Sequence, residues 1–424
     1  MFSYGYGFRP WDKADILASG DAIKRYLGET IDECAIRDRI RFGTSVRAAD
    51  WRGSTNTWHV AAVDEQGGET HHLTCDFLVA CTGYYRHEKG YMPEFAGVDD
   101  YEGTLIHPQH WPEDLDYRDK NVVVIGSGAT AVTIVPAIAG TTEKVTIVQR
   151  SPSYFYSIPA RDRVFLFLRY LVGRKLAGRL ARKRSFVLQY WLFNACRRWP
   201  GFMRRLLLRH VCKAVGPDVD MRHFTPRYDP WDERLCVVPE DDLFHALRRG
   251  DADIVTDEID MFTRKGLRLK SGRELEADII VSATGFDLQI FGGMQVSVDG
   301  QVSQPNEQLI YKGVLVEGVP NLAAVFGYIN FTWTAKVELT AAWLSRLLGH
   351  LYKSGKKVVV PHDTGDHAMN ESVMNRLNSG YVKRGGDALP RQGSAAPWQV
   401  THDYRQDRKM LLDDPVVDDA LEIR

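Results

Sequence analysis

The sequence predicts an α/β fold with parallel sheets and more than one domain. Residues 121–150 run through a short apolar strand, a glycine turn, an apolar helix and a second apolar strand, which is the pattern of a βαβ unit. A second observation is an internal repeat: DFLVACTGY at 76–84 and DIIVSATGF at 278–286 each place an acid and a buried strand before Thr-Gly and an aromatic residue. At 424 residues the chain is also too long for one ordinary core, so two or three domains are expected.

Composition and charge exclude several classes of protein. Apolar residues at 44% and charged residues at 26% are typical of soluble globular proteins. The net charge of −1 gives no overall attraction to nucleic acid, so we expect no nucleic-acid partner. We expect neither a secretory signal nor a membrane-spanning segment, because no run of about 18 apolar residues occurs. The six cysteines are scattered without a CxxC pair, so we predict no metal site and a reducing, cytoplasmic setting.

The amino-terminal elements follow from periodicity. Residues 19–31 carry apolar side chains at helical spacing, and a β-rich stretch begins at residues 40–42. Residues 58–63 and 69–74 flank Gln-Gly-Gly and are predicted to form a hairpin. The two strands of the internal repeat each end in a glycine, which lets backbone approach a dinucleotide closely. The alternative is that both are buried parallel strands that happen to end in a glycine turn.

The glycine turn in the βαβ unit predicts a dinucleotide site. The strand Asn121–Ile125 is followed at once by GSGATA and then by an apolar helix. The first glycine permits the tight turn, the second lets the pyrophosphate approach, and amide groups at the helix start hold phosphates. We therefore predict that the cofactor is bound by Gly126, Ser127, Gly128, Ala129, Thr130, Ala131 and Val132.

The end of the second strand predicts which dinucleotide binds. An NAD enzyme usually carries Asp or Glu there for the ribose 2′-hydroxyl, whereas this chain has Gln149 and Arg150. The guanidinium of Arg150 is permanently charged and its planar fork matches a phosphate, so NADPH is predicted over NADH. The alternative is a surface arginine after an ordinary strand.

A basic helical segment follows the nucleotide unit. No Asp or Glu occurs from residue 163 to residue 217, while Lys and Arg recur among apolar residues at helical spacing. Basic amphipathic helices bind anionic lipid, so a peripheral membrane contact through 163–213 is one interpretation. A solvated cationic face over a helical insertion is the interpretation we favour from sequence alone.

A fingerprint lies just upstream of the nucleotide strand. Residues 101–112 are YEGTLIHPQHWP, which resembles the FxGxxxHxxxWP fingerprint of type I Baeyer–Villiger monooxygenases with Tyr in place of Phe. Gly103, His107, Trp111 and Pro112 match it. The resemblance continues through HPQHWPEDLDY, VVVIGSGATAV, QRSPSY, DPWDERLC, SGRELEADII, SGYVKRG and LPRQGS, and it is closest to the branch of ethionamide-activating monooxygenases.

The resemblance implies function and cofactors. It implies a flavoprotein that uses FAD, NADPH and molecular oxygen to insert oxygen beside a ketone carbonyl or to oxidise a sulfur compound. It assigns to Arg234, in DPWDERLC, the role of holding the oxygenated flavin and the developing oxyanion, which suits a guanidinium. It also places the backbone of Val46 at the flavin's adenine. From the residues alone, Arg234 would pair with Asp232 or Glu233, and Val46 would be a strand residue.

Two departures from the family pattern matter. The family begins with a strand and a GxGxxG turn for FAD, and this sequence starts just after that point, so we expect an incomplete FAD domain and weakened FAD binding. The other departure is Phe331, where relatives carry smaller residues, and we expect it to reshape a substrate or cofactor pocket. Two alternatives to this function therefore stay open. One is a catalytically inactive NADPH-binding remnant, and the other is a flavin monooxygenase that acts on nitrogen or sulfur only.

The predicted architecture is a two-dinucleotide-binding-domain flavoprotein of the α/β class, with an incomplete FAD domain, an NADPH Rossmann domain and a helical insertion. We predict the FAD domain at 1–112, the NADPH domain at 113–151 and 226–285, the insertion at 152–225, and a return to the FAD domain with a wrapping tail at 286–424.

Overall fold

The computed structural model describes residues 1–365, 367–374 and 379–424. Within these ranges the α-helices are α1 (Gly20–Glu33), α2 (Ala129–Ile138), α3 (Arg163–Val172), α4 (Arg174–Arg198), α5 (Pro200–Val215), α6 (Asp242–Arg249), α7 (Trp333–Ser354), α8 (Gly380–Gly385) and α9 (Tyr404–Arg408). The strands are β1 (Thr44–Arg52), β2 (Thr57–Asp64), β3 (Thr70–Cys75), β4 (Leu78–Ala80), β5 (Tyr85–Gly90), β6 (Thr104–Ile106), β7 (Asn121–Ile125), β8 (Lys144–Gln149), β9 (Phe155–Ile158), β10 (Cys236–Pro239), β11 (Ala252–Thr256), β12 (Ile259–Thr263), β13 (Gly266–Leu269), β14 (Glu274–Glu276), β15 (Ile279–Ser282), β16 (Phe286–Leu288), β17 (Gln295–Val298), β18 (Gln301–Val302), β19 (Ile310–Tyr311), β20 (Leu315–Val316), β21 (Leu322–Ala324), β22 (Val359–Pro361), β23 (Ala368–Ser372), β24 (Arg391–Gly393) and β25 (Leu421–Ile423).

The first sheet is parallel throughout, with strand order β11-β8-β7-β15-β6. Its central strand β7 is buried on both faces, which explains its uninterrupted apolar sequence. Val122 and Val124 face a core shared with α2 and α6. Val123 and Ile125 face Phe262 and other residues of the antiparallel sheet β12-β13-β14. The predicted nucleotide unit is therefore the centre of a three-layer structure. Its edge strand β6 lies within the range 1–112.

The second sheet has the order β19-β20-β21-β4, and β4 runs parallel to β21. Helix α7 covers one face, where Trp343 is fully buried against Tyr311 and Leu315. The five-stranded sheet β18-β17-β1-β2-β3 covers the other side, where Trp51 and Trp58 meet edge to face. Strand β1 begins at Thr44, later than the predicted 40–42, because a turn at Phe42 and Gly43, where Gly43 has φ +66°, directly precedes it.

The internal repeat marks the two places where the chain passes between these sheets. Strand β4 belongs to the second sheet and continues into β5, which leads towards β6 of the first sheet. Strand β15 belongs to the first sheet and continues into β16, which returns to the second. The segments β5 and β16 pair with each other in antiparallel register, with Phe286 opposite Gly90 and Leu288 opposite Tyr85. We call residues 84–91 and 284–288, which contain this pair, the crossing ribbon.

The segment between β9 and β10 and the carboxyl-terminal tail pack against different parts of the molecule. Strand β9, paired in parallel with β10, leads into α3, α4 and α5. In the tail, Trp398 is buried against Tyr311, so this part wraps the second sheet. Among the described residues, none of the helices combines the length and apolar character needed to cross a bilayer.

One prediction concerns the tail. The Nζ of Lys336 on α7 lies 2.8 Å from Oδ2 of Asp407 on α9, and both side chains are buried. Lys336→Met leaves a buried carboxylate without its cation, so we expect it to lower the free energy of unfolding by about 3–5 kcal/mol. Denaturant unfolding followed by tryptophan fluorescence measures this.

The matched control is Lys353→Met in the exposed last turn of the same helix, and it should change little. The double variant Lys336→Met with Asp407→Leu should recover much of the loss, because no charge is then left buried. Equal unfolding midpoints for the two single variants would contradict the assignment.

Candidate active site

The turn between β7 and α2 is shaped by two glycines with different tasks. Gly126 has φ +125°, and a Cβ there would lie 2.4 Å from the carbonyl oxygen of Ala283 just after β15. Gly128 precedes α2, and a Cβ there would meet nothing within 4 Å. Gly126 is therefore required by the close approach of two strand ends, whereas Gly128 borders open space.

The start of α2 is open to a ligand. No side chain caps it, so its first N–H groups carry the partial positive charge of the helix end unpaired by a cap. Ala129 is exposed, whereas Ala131 and Val132 are buried against the core. The hydroxyl of Ser127 lies 3.2 Å from the carbonyl oxygen of Ser151. The turn therefore fits a phosphate group, with Ala131 and Val132 acting through packing.

Gln149 and Arg150 differ sharply in exposure. The side chain of Gln149 is buried, and its Nε2 donates to the carbonyl oxygen of His223 at 2.7 Å and to Oγ1 of Thr256 at 2.8 Å. Arg150 is exposed. Gln149 thus ties β8 to its neighbours beneath the surface, and Arg150 is the one of the two available to a ligand.

Two further basic residues lie near Arg150. Burial lowers the pKa of Arg384, and the charge of Arg150 lowers it further. The guanidinium of Arg384 lies over the Tyr91 ring at 3.6 Å from its centroid. Lys383 and Arg150 both act on Glu233, whose pKa is nevertheless raised by burial. The three cations come from the end of β8 and from α8. The sequence did not predict this cluster, because α8 is distant from β8 in the chain. The only signal was the basic pair inside SGYVKRG.

His107 of the fingerprint binds the crossing ribbon. The backbone N–H of Gln109 donates to its Nδ1 at 3.2 Å, so the proton lies on Nε2, which donates to the carbonyl oxygen of Gly285 at 3.1 Å. Burial lowers its pKa, which favours the neutral ring. A Cβ on Gly90 would lie 1.9 Å from this ring, so the glycine in β5 is needed for the contact.

The other fingerprint residues support the same place. A Cβ on Gly103 would lie 2.2 Å from the hydroxyl of Tyr101, which donates to the carbonyl oxygen of Ala277 at 2.9 Å. Trp111, next to Pro112, is half-buried against the core of the first sheet. These fingerprint residues therefore have a structural role, close to the place where His107 binds the crossing ribbon.

Arg234 lies inside the molecule beside the start of the crossing ribbon. Its Nε donates to the carbonyl oxygen of Ile329 at 3.0 Å. Burial lowers its pKa, but the nearby phenols of Tyr381, Tyr84 and Tyr85 outweigh this and raise it. In the described part of the chain no carboxylate lies within salt-bridge distance of Arg234.

The two acids beside Arg234 in sequence are engaged elsewhere. Asp232 pairs with Arg197 at 2.7 Å instead, and burial raises the pKa of Glu233. The hydroxyls of Tyr84 and Tyr381 are buried without a hydrogen-bond partner. A half-buried cation beside unsatisfied polar groups fits a bound anionic or oxyanion-bearing group.

A cavity of about 600 Å³ is lined by Phe331 and by Ile329, whose carbonyl accepts from Arg234. Five aromatic side chains line it, from α4, the loop before β10, the 329–331 loop and the tail: Tyr190, Phe193, Trp231, Phe331 and Tyr404. Polar residues make up most of the remaining wall, among them Asn194, Arg197, Gln399 and Gln406. Two polar atoms in these walls, Nε1 of Trp231 and Oδ1 of Asn330, are buried without a partner.

The residues expected at the flavin are more exposed. Val46, at a bulge in β1, keeps 39% of its surface, and Val79 in β4 keeps 42%. Thr82 and Gly83 follow β4, and Gly83 adopts φ +71°. Exposed apolar side chains beside a glycine turn fit the flat adenine of a dinucleotide.

Comparisons with known proteins agree on one family. The family model described as flavin-binding monooxygenase-like matches residues 16–164. The chain is 50% identical to the putative FAD-containing monooxygenase MymA of Mycobacterium tuberculosis, over 99% of this chain and 86% of that protein. It is 42% identical to the FAD-containing monooxygenase EthA of the same organism, over 99% and 86%. The NADP+-bound structure of cyclohexanone monooxygenase from Rhodococcus sp. Phi1 matches with a TM-score of 0.74 at 18% identity, over 100% of this chain and 89% of that one.

The contact between Gly90 and His107 gives a stability prediction. In Gly90→Ala the imidazole must leave its place, which breaks the bond to Gly285, so we expect a loss of about 1–3 kcal/mol. Gly140→Ala is the matched control, because a Cβ there meets nothing within 4 Å. Thermal unfolding followed by circular dichroism compares them, and equal midpoints would show that the contact does not hold the ribbon.

The neutral state of His107 gives a pH prediction. Because its pKa in the folded chain is below the ordinary 6.5, the unfolded chain binds this proton more readily as pH falls through 6.5. Stability should therefore decrease below that pH. Burial also lowers the pKa of His223, so the informative quantity is the difference between wild type and His107→Gln across pH 5–8. We expect a shallower decrease in the variant, and parallel profiles would refute the assignment.

Proposed function

We propose, from the premise that this chain belongs to the flavin-binding monooxygenase-like family, that it is an FAD- and NADPH-dependent monooxygenase whose substrates are ketones or sulfur compounds. The observation that carries this is the position of Arg234 at one end of the crossing ribbon, half-buried beside the phenols of Tyr84 and Tyr85. At the other end, Thr284 follows Ala283, which closely approaches the nucleotide turn at Gly126. The nucleotide turn and the cation therefore lie at the two ends of one short element, which supports the proposal.

The nucleotide side is proposed to bind NADPH. Amide N–H groups at the start of α2 donate to the pyrophosphate, since no side chain caps that end. Arg150 is proposed to bind the 2′-phosphate, with Lys383 and Arg384 adding positive charge from α8. Burial and the charge of Arg150 both lower the pKa of Arg384, and a bound phosphate would offset this unfavourable charge.

The flavin side is proposed to use Val46 and the Thr82-Gly83 turn for the adenine end of FAD. When bound, the flavin supplies the transfer of electrons from NADPH to oxygen. Arg234 stabilises negative charge that forms on the reacting oxygen, because its guanidinium stays cationic and its desolvated setting strengthens the interaction. The backbone carbonyl of Ile329 fixes the guanidinium by its bond to Nε.

The cavity beyond Ile329 supports a small substrate with both apolar and polar parts. Its aromatic walls bury an apolar body, and the unpaired indole N–H of Trp231 fits a carbonyl or sulfoxide oxygen. Phe331 narrows the cavity between Phe186 and Tyr404, with ring centroids 5.1 and 5.9 Å away. Mass spectrometry of products from a cyclic ketone and a thioether under ¹⁸O₂ tests the two substrate classes. Labelled lactone supports the ketone class, and labelled sulfoxide alone restricts the enzyme to sulfur.

The domain division is proposed in the same terms. Residues 113–151 and 226–285 form the NADPH domain, to which we add β6 as the edge strand beside β15. Residues 1–112, without β6, and 286–424 form the FAD side, and 152–225 the insertion. A peripheral membrane contact through 163–213 is also proposed, on the grounds given in the next subsection.

The phosphate assignment gives a binding prediction. Arg150→Ala and Arg384→Ala should each weaken NADPH binding by about tenfold to a hundredfold, the loss expected for a charge-assisted hydrogen bond, and leave NADH binding nearly unchanged. Fluorescence titration of the reduced cofactors measures both. Arg52→Ala, an exposed arginine at the end of β1, is the control. An unchanged NADPH to NADH ratio would refute the assignment.

The role of Arg234 gives a kinetic prediction. Arg234→Ala should lower the rate of substrate oxygenation by about a hundredfold or more, while the dissociation constant for NADPH stays within about twofold of wild type. Arg52→Ala, at the exposed end of β1, serves as the control and should change neither quantity. If Arg234→Ala still oxygenates substrate at the wild-type rate, the proposed role is wrong.

A further inference from the structure

Helices α3, α4 and α5 carry a charge pattern that the proposed reaction does not use. From residue 163 to residue 217 the chain has fourteen Lys and Arg and no Asp or Glu. Three arginines in this segment pair with acids outside it: Arg174 with Asp12, Arg182 with Glu338 and Arg197 with Asp232. Arg184 pairs with Asp162, which directly precedes the segment. The other ten have no salt-bridge partner among the described residues, so the surface is strongly cationic.

The same helices expose an unusual amount of apolar surface. Together with Trp199 between α4 and α5, they hold fourteen of the twenty-seven exposed large apolar side chains that the described residues contain. The most exposed lie around the turn between α3 and α4, where Tyr170 keeps 88% of its surface, Phe167 63% and Leu171 58%. Others continue along α4 and α5, namely Leu176, Leu180, Val187, Leu188, Trp191, Trp199, Phe202 and Leu206. An apolar patch of this extent on a soluble protein marks an interaction site.

The exposed residues are not a core left open by poor packing. Each helix also has a buried face: Phe165 of α3 packs with Ala177 and Ala181 of α4, and Met203 and Leu207 of α5 pack near β9. The exposed apolar residues are therefore a second face. Unpaired cations adjoin it, for instance Arg169 near Tyr170 and Arg179 near Leu180. We call this face, made by the exposed residues of 163–209, the cationic apolar face.

We propose that the cationic apolar face binds the surface of a membrane that contains anionic lipid. An anionic bilayer accepts both features at once, because lysines and arginines reach the phosphates while aromatic and aliphatic side chains enter the boundary of the acyl chains. Trp191 and Trp199 suit the polar boundary of the bilayer, where indole rings are enriched. A second copy of this face would place like charges opposite each other, and the absence of acids across 163–217 supplies no counter-charge for a self-association.

The location of this face bears on substrate supply. Helix α4 contributes Tyr190, Phe193 and Arg197 to the cavity wall and Val187 and Trp191 to the cationic apolar face. One helix therefore separates the cavity from the face that we place on the membrane. A membrane-bound enzyme would then meet apolar substrates where they concentrate.

The test uses the full chain and vesicles of defined composition. Vesicles of phosphatidylcholine and phosphatidylglycerol should carry most of the protein into the pellet on sedimentation. Vesicles of phosphatidylcholine alone should carry much less of it. Added salt should release the protein, because part of the attraction is electrostatic. Absence of binding to the anionic vesicles would overturn the proposal.

Variants separate the two contributions. Phe167→Ser with Tyr170→Ser and Leu171→Ser removes apolar contact, and Arg169→Glu with Arg179→Glu reverses charge. Each should lower the partition coefficient by at least about tenfold, since one basic residue near an anionic surface contributes roughly fivefold. The single variant Tyr170→Ser, at an 88% exposed position, keeps the test valid if a multiple variant fails to fold.

The controls use matched positions on α7. Tyr352 keeps 88% of its surface and Leu348 41%. Tyr352→Ser with Leu348→Ser therefore removes exposed apolar surface at a different place. Lys353→Glu with Lys356→Glu, at the carboxyl end of α7, reverses the same number of charges. Vesicle binding unaffected by the α3–α4 variants, or reduced equally by the α7 variants, would overturn the assignment. The proposal would also be overturned if the wild-type protein formed a dimer in solution and did not bind vesicles, and if the apolar variant dissociated that dimer.

Discussion

The carbonyl oxygen of Gly285 accepts two hydrogen bonds, and the arrangement of the molecule depends on them. The backbone N–H of Tyr91 donates at 3.1 Å and Nε2 of His107 donates at 3.1 Å. These bonds join the two segments by which the chain passes between its sheets. Because the segments are paired as β5 and β16, neither sheet can shift without breaking the ribbon. A fingerprint histidine therefore acts here as a donor to backbone, in its neutral form.

The crossing ribbon also explains why distant parts of the sequence form one site. Gly126 approaches Ala283 at the end of β15, which fixes the nucleotide turn against the ribbon. Arg234 lies beside Tyr84 and Tyr85 at the other end of the ribbon. Thr284, in the ribbon itself, donates to the carbonyl oxygen of Tyr91 at 2.6 Å. The proposed NADPH and oxygenation sites are thus held by one short element, which suits a reaction that needs both cofactors in fixed positions.

Much of this could be predicted from the sequence because the signals are local. The run Asn121–Ile125 with its glycine turn predicted the first sheet, and the internal repeat predicted two buried strands that end in a glycine turn. The features that the sequence did not predict depend on contacts between residues that are distant in the chain. Gln149 seemed available to a cofactor from its position after a strand, yet it is buried under β11. The convergence of Arg384 on Arg150 joins α8 to β8, and the cavity joins α4 to the tail, so no periodicity in either segment reveals them.

Hydrogen exchange tests the central claim most directly. In wild type the amides of 85–91 and 284–288 should exchange slowly, since they pair within the ribbon. In His107→Ala we expect both segments to lose protection together, while the amides of β7 and β8 keep theirs. Unchanged protection of the ribbon in His107→Ala would contradict the account, because it would show that the ribbon holds without the bond from His107 to Gly285.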